Sequence, residues 1–149
     1  MRLTSYTDYS LRVLMYLGAR PDRLCSVAEI SRAYGISQNH LMKVVNGLGK
    51  QGYVASARGR TGGIRLGKPA DQISVGEVVR ETEDGFELVD CQRCVISAAC
   101  GFASVLDEAM AAFMAVLDNY TLADLLVRRA ELSALFLTDK PDKPDALPA

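Results

Sequence analysis

Apolar residues recur at three- and four-residue spacing along much of the chain, and glycine- or proline-containing breaks separate the stretches. Leu11, Leu14, Met15 and Leu17 share one side of the first stretch, and Thr4 is placed to cap a helix running to about Leu17. Gly18-Ala-Arg-Pro21-Asp22 ends that helix. Ser26-Val-Ala-Glu29 has the spacing of a capping box, in which hydroxyl and carboxylate each satisfy a free N–H of the first turn. It predicts a second helix covering Val27, Ala28 and Ile30, closed after Tyr34 by a left-handed turn at Gly35. Ser37 then caps a third helix, Gln38 to about Lys50, with Leu41, Val44, Val45 and Leu48 on one face. Two short helices about a tight glycine turn form a helix-turn-helix.

After Gly52 the period shortens. Two strand-like runs flank Arg58-Gly-Arg60-Thr61-Gly62-Gly63 and predict a β-hairpin wing whose glycines allow positive φ. Ser74-Val-Gly-Glu77 is a second capping box, opening a short helix through about Thr82. Further on, Phe102, Val105, Leu106, Ala109, Met110, Phe113, Val116, Leu117 and Tyr120 lie on one broad stripe of a helix of about five turns. A further helix is expected from about Leu122 to Leu137.

The fold class is therefore mainly α with a small β-hairpin wing. A winged helix-turn-helix domain is expected over 1–68 and a loop with dimerisation helices over 69–137. A proline-punctuated, disordered tail is expected over 138–149. The stripe could pack on the winged domain, but a long helix after a small DNA-binding unit more often pairs with its two-fold mate, because palindromic sites are read by dimers.

Charge sharpens this picture. Residues 1–68 carry 11 Lys and Arg against 3 Asp and Glu, a net +8, whereas residues 69–149 carry 6 against 15, a net −9. The basic half is suited to a polyanion. The start of the third helix would enter the major groove with Ser37, Gln38, Asn39, His40 and Lys43. His40, the only histidine, precedes Leu41 in a polar turn and reads as a DNA contact rather than a packed or metal-bound side chain. In the wing, Arg58, Arg60, Thr61, Gly62 and Arg65 suit phosphate or minor-groove contact. No Walker Lys-Ser/Thr pair supports a nucleotide-binding reading of the glycines.

Three of the four cysteines fall in Cys91-Gln-Arg-Cys94-Val-Ile-Ser-Ala-Ala-Cys100. Thiolates so spaced can converge on one metal centre, leaving a position for another ligand. Cys25, amid apolar neighbours, reads as a small core residue. No apolar run approaches the roughly 20 residues needed to span a bilayer, and the N-terminus lacks a secretory apolar stretch. The expected compartment is cytoplasmic, where clustered thiols serve metal or redox chemistry more often than structural disulfides. A zinc-stabilised DNA-binding protein and a Cys-x-x-Cys thiol oxidoreductase are the other readings of the group. The oxidoreductase lacks the expected βαβ context, leaves the basic wing unexplained and finds no Ser/His/Asp set beside it, so an enzyme is not expected.

Three separated motifs carry a resemblance covering roughly residues 1–127. They are Met1-Arg-Leu-Thr-Ser-Tyr-Thr-Asp8-Tyr, Ala33-Tyr-Gly-Ile-Ser-Gln-Asn-His-Leu-Met-Lys-Val-Val45 and Arg58-Gly-Arg-Thr-Gly-Gly-Ile-Arg-Leu66. Together with the cysteine loop and the long helix, they resemble the NsrR branch of the IscR/NsrR/RirA iron–sulfur transcription regulators. The resemblance implies a homodimeric repressor of double-stranded operator DNA whose iron–sulfur cluster senses nitric oxide. It implies Cys91, Cys94 and Cys100 as ligands, with Asp8 of the other subunit as the fourth, and a 4Fe–4S cluster rather than 2Fe–2S. One departure from that picture stands open: the two-residue gap between Cys91 and Cys94 is shorter than is usual in the family. Read from the sequence alone, Asp8 is an acid in a helix first turn that could pair with Arg12. An iron-responsive regulator like RirA or a cluster-status regulator like IscR would share nearly all these motifs.

Overall fold

The computed structural model describes residues 2–137, so the expected tail over 138–149 lies outside the described residues. Helix α1, Ser5–Gly18, begins at Thr4, whose hydroxyl accepts the Thr7 N–H. Its buried side carries Val13, Leu14, Tyr16 and Leu17, with Leu11 and Met15 only partly covered. Helix α2, Val27–Tyr34, starts with the full Ser26–Glu29 capping box and stops at Gly35, whose φ of 67° is left-handed. Helix α3, Gln38–Lys50, is capped by Ser37 and buries Leu41, Val44 and Leu48. These boundaries are local: each cap satisfies backbone groups that the helix cannot satisfy itself.

Strands β1, Val54–Ala57, and β2, Gly63–Leu66, pair antiparallel with Val54 opposite Leu66 and Ala57 opposite Gly63. Cys25 extends this small sheet through two backbone bonds with Ile64, 2.9 and 2.8 Å long. Gly63 is required there, because a Cβ would lie 2.7 Å from the Cys25 carbonyl oxygen. The winged helix is thus closed on its inner side by the segment preceding α2.

Helix α4, Val75–Thr82, is capped by Ser74, which accepts the Glu77 N–H. The reciprocal half of the expected capping box is not formed. The backbone around Ser74 instead pairs with 120–122, through Val75 N–H to the Tyr120 oxygen and Leu122 N–H to the Ile73 oxygen. Helix α5, Phe102–Asp118, follows the cysteine loop. Arg80 of α4 grips both carboxylate oxygens of Asp118 at 2.7 and 2.5 Å.

Two expectations are corrected here. The broad apolar stripe of α5 is two faces. Met110, Phe113 and Leu117 pack with buried Met114 on Val75, Val79 and Phe86, while Phe102, Val105, Ala109, Ala112 and Val116 face outward. The single helix expected from about Leu122 to Leu137 is broken into α6, Leu122–Leu125, and α7, Arg129–Leu137. The break is set by tertiary docking. Leu126 is buried against Gly18 of α1, and Arg129 Nε donates to the Ala19 carbonyl oxygen at 3.1 Å.

One core cluster holds residues from both sides of position 68. Val13, Leu14, Leu17, Ile30, Leu41, Leu48 and Tyr53 share it with Ile73, Val78, Leu122 and Leu126. Helix α1 lies at its centre, in contact with α3, α4, β2 and α6.

Candidate nucleic-acid interface and metal-binding loop

Burial of Leu41, Val44 and Leu48 fixes which way α3 turns. Gln38, Asn39, His40 and Lys43 stand exposed on the other side, with Ser37 held at the N-cap by the His40 N–H. The Tyr9 ring of α1, not singled out in the sequence, stacks on His40 with ring centres 6.4 Å apart. Its signal was present but indistinct, since a tyrosine beside a helical apolar face reads as core. Close approach of α1 to α3 is enforced further along by Gly47, where a Cβ would collide with the Tyr6 hydroxyl.

The wing tip spans residues 58–62 between paired strands. Gly59 takes a φ of 113°, and the Gly62 N–H closes the turn on the Gly59 oxygen at 3.0 Å. Arg58, Arg60, Thr61, Gly62 and Arg65 are all exposed. Among the described residues, none of Lys43, Arg58, Arg60 and Arg65 pairs with a carboxylate. Their charge is therefore uncommitted, as phosphate contact requires.

Cys91, Cys94 and Cys100 are free thiols on a loop of successive turns. Cys94 N–H bonds the Cys91 oxygen, Ser97 N–H the Cys94 oxygen and Ala99 N–H the Ile96 oxygen. Cys94 is exposed and the other two are half-buried. A cavity of about 530 Å³ lies between this loop and α5, walled by Phe86, Val89, Cys91, Leu106, Met110 and Met114. Among the described residues, no three His, Cys, Asp or Glu side chains are gathered closely enough to hold a metal ion. The three cysteines are thus on one loop without being drawn to one point. Three free thiols nevertheless match an iron–sulfur cluster in donor chemistry.

Asp8 does not join the loop of its own chain. It sits in the first turn of α1, where Arg12 holds both carboxylate oxygens at 3.0 and 2.9 Å. The fourth cysteine, Cys25, is a core residue, and burial pushes its thiol up to about 11, with nearby Glu29 adding to the rise.

A second residue escaped the sequence reading. Glu83, at the end of α4, accepts from the Thr4 N–H at 2.7 Å and from the Thr4 hydroxyl at 3.0 Å. In sequence it is one acid in a run of several, and its partner lies 79 positions away.

These features agree with the proteins the chain is similar to. The Rrf2 family profile, described as an iron-dependent transcriptional regulator, matches residues 3–128. The chain is 52% identical to the HTH-type transcriptional regulator NsrR of Bacillus subtilis (strain 168), over 91% of this chain and 97% of that protein. Among solved structures, T. potens IscR superposes with a TM-score of 0.73 at 25% identity, covering 88% of this chain and 90% of that one. Oxidized Staphylococcus aureus CymR does so with 0.70 at 26% identity, covering 85% and 97%. No helix among the described residues is long and apolar enough to cross a membrane. With its winged helix-turn-helix, free basic face and cysteine loop, the chain belongs to the Rrf2 family of iron-dependent transcriptional regulators.

Proposed function

We propose that this regulator is a homodimeric repressor of double-stranded operator DNA that senses nitric oxide through an iron–sulfur cluster. The observation that carries the reading is the division of its thiols. Three stand free on one loop ahead of α5, while the fourth is buried behind the wing. Cys91, Cys94 and Cys100 would hold the cluster, with Asp8 of a second copy as the remaining ligand. Asp8 would have to share its carboxylate with Arg12 or loosen from it. A carboxylate is a harder, weaker donor to iron than thiolate. When bound, the cluster, 4Fe–4S in preference to 2Fe–2S, supplies iron open to attack by nitric oxide.

The chain's own residues supply the rest. Ser37, Gln38, Asn39, His40 and Lys43 read the major groove, and Arg58, Arg60, Thr61, Gly62 and Arg65 hold the flanking backbone. The outward face of α5 repeats at spacings of three and four through Phe102, Val105, Ala109, Ala112 and Val116, the pattern of a helix seam. Phe102 and Val105 are each 58% exposed. This seam supports pairing with a second copy, which a palindromic operator demands.

The test is an anaerobic absorption spectrum titrated with nitric oxide while operator binding is followed at fixed salt. A brown chromophore that bleaches together with loss of DNA binding is expected. A chromophore indifferent to nitric oxide but lost on iron depletion would favour an iron-responsive, RirA-like or cluster-status, IscR-like regulator. The structural likeness to T. potens IscR supports that second reading. A colourless zinc protein that binds DNA regardless would overturn both.

A further inference from the structure

We propose that Glu83 is a positioning residue, a latch that carries the state of the cysteine loop into helix α1 and thence to the DNA-reading helix. The inference rests on the sensing function proposed above and names the residue through which that function is transmitted. Glu83 ends α4: its N–H still closes the helix on the Val79 oxygen, but its own backbone is extended. The chain from here runs directly to Cys91, eight residues on.

One carboxylate oxygen of Glu83 takes both the N–H and the hydroxyl of Thr4, at 2.7 and 3.0 Å. Thr4 is the N-cap of α1, and its hydroxyl also accepts the Thr7 N–H. A carboxylate at this place meets the positive end of the α1 dipole and makes charge-assisted bonds. The stem of the cysteine loop is therefore fastened to the turn that carries Asp8. Apolar contact reinforces the fastening, since Leu3 and Phe86 pack on the same cluster as Val79 and Met114.

From that turn, α1 meets α3 at two places. Tyr9 stacks on His40, and the Tyr6 hydroxyl fills the space that a side chain at Gly47 would need. The far end of α3 is tied back to α4, because Gln51 Nε2 donates to the Glu81 oxygen at 3.2 Å. A displacement of the loop stem then shifts α1 at its N-cap and reaches His40 through packed groups. Without Glu83 only apolar contact joins the stem to α1, and the N-cap of α1 is no longer held to it.

Operator binding of cluster-loaded and cluster-free protein, measured at fixed salt for wild type and Glu83→Ala, tests the latch. Wild type should bind about 5- to 150-fold more tightly when loaded. Glu83→Ala should bring that ratio towards one by weakening the loaded form far more than the cluster-free form, with dimer content unchanged and Tm lowered only slightly. In cluster-free protein, amide exchange over residues 4–8 should be faster than in wild type. A ratio kept at the wild-type value overturns the latch, as does an equal loss in both forms with a lower Tm, which marks ordinary packing. Should Glu83→Ala not fold, Glu83→Asp decides: it keeps the charge but withdraws the carboxylate from Thr4, and an unchanged ratio refutes the proposal. If wild type itself shows no cluster-dependent binding, the sensing function fails, and the exchange over residues 4–8 still decides whether Glu83 holds α1.

Discussion

The Tyr9 ring of α1 lies beside the imidazole of His40 on α3, ring centres 6.4 Å apart and planes 29° from parallel. Tyr9 is buried while His40 stays exposed, so the contact ties an exposed side chain to the core. His40→Ala should weaken operator binding by about 1–3 kcal/mol, or roughly 5- to 150-fold, at unchanged Tm. Tyr9→Leu should have a smaller effect, because loss of a stack of about 0.5–1.5 kcal/mol frees the imidazole without removing it. Titrations at one salt concentration with a fixed operator check both. If His40→Ala binds like wild type, His40 does not touch the DNA.

The wing arginines should behave differently. Arg60 is exposed and pairs with no carboxylate among the described residues. Arg60→Ala should weaken binding to operator and to unrelated DNA alike. It should also flatten the plot of log affinity against log salt by about one unit. An unchanged slope would place the arginine away from phosphate.

Gly63 allows β2 to press against Cys25, where a Cβ would stand 2.7 Å from a backbone oxygen and 3.0 Å from Leu24 Cβ. Neither obstacle is the free end of a long side chain. Gly63→Ala should destabilise the fold by about 1–3 kcal/mol, read as a lower midpoint in urea. A wild-type midpoint would mean that the wing is not anchored through Cys25.

Glu29 offers a test in pH. Burial alone would raise its carboxyl, but Arg23, the Ser26 N–H and the Tyr16 hydroxyl outweigh burial and hold it at about 2 against an ordinary 4.5. A depressed folded value stabilises at pH above the ordinary value, and that stability is lost as pH falls through the folded value. Glu29→Gln should therefore cost about 1 kcal/mol at pH 7, because glutamine can still cap Ser26 but lacks the charge that Arg23 and the Tyr16 hydroxyl meet. The cost should shrink steadily between pH 4.5 and 2. An equal cost at pH 7 and pH 3 would show that the charge of Glu29 is immaterial.

The thiols should separate by rate. In reduced, cluster-free protein a thiol reagent should modify Cys91, Cys94 and Cys100 promptly. Cys25, buried and with its thiol pushed up to about 11, should react only on unfolding. Mass spectrometry of partly labelled protein reads this directly. Early labelling of Cys25 would mean that the wing opens readily.

What could be read beforehand follows from how far apart the deciding residues lie. The starts of α2 and α3 were legible because Ser26, Glu29 and Ser37 act within three residues, and Gly35 needs only its own φ. The exposed side of α3 followed from the spacing of Leu41, Val44 and Leu48. The Asp8–Arg12 pair was legible as a helical i,i+4 pair. Asp8 as an iron ligand was suggested only by resemblance, since no local pattern marks it. The break between α6 and α7 was not legible, because Gly18 and Ala19 decide it from over 100 positions away. Nor could the apolar stripe of α5 be divided without knowing that Val75, Val79 and Phe86 cover only one side of it.

The central place of α1 has a consequence for how the protein is made. Helix α1 is made well before the residues that hold its two ends: Glu83 at its N-cap, Leu126 on Gly18 and Arg129 on Ala19. Such contacts join residues 79 and 110 positions apart, the kind of closure that slows folding. At about 5–20 residues per second, α1 waits several seconds of translation for its full set of neighbours. A chain that stops before Leu122 keeps Glu83 but lacks Leu126 and Arg129, the residues that hold the C-terminal end of α1.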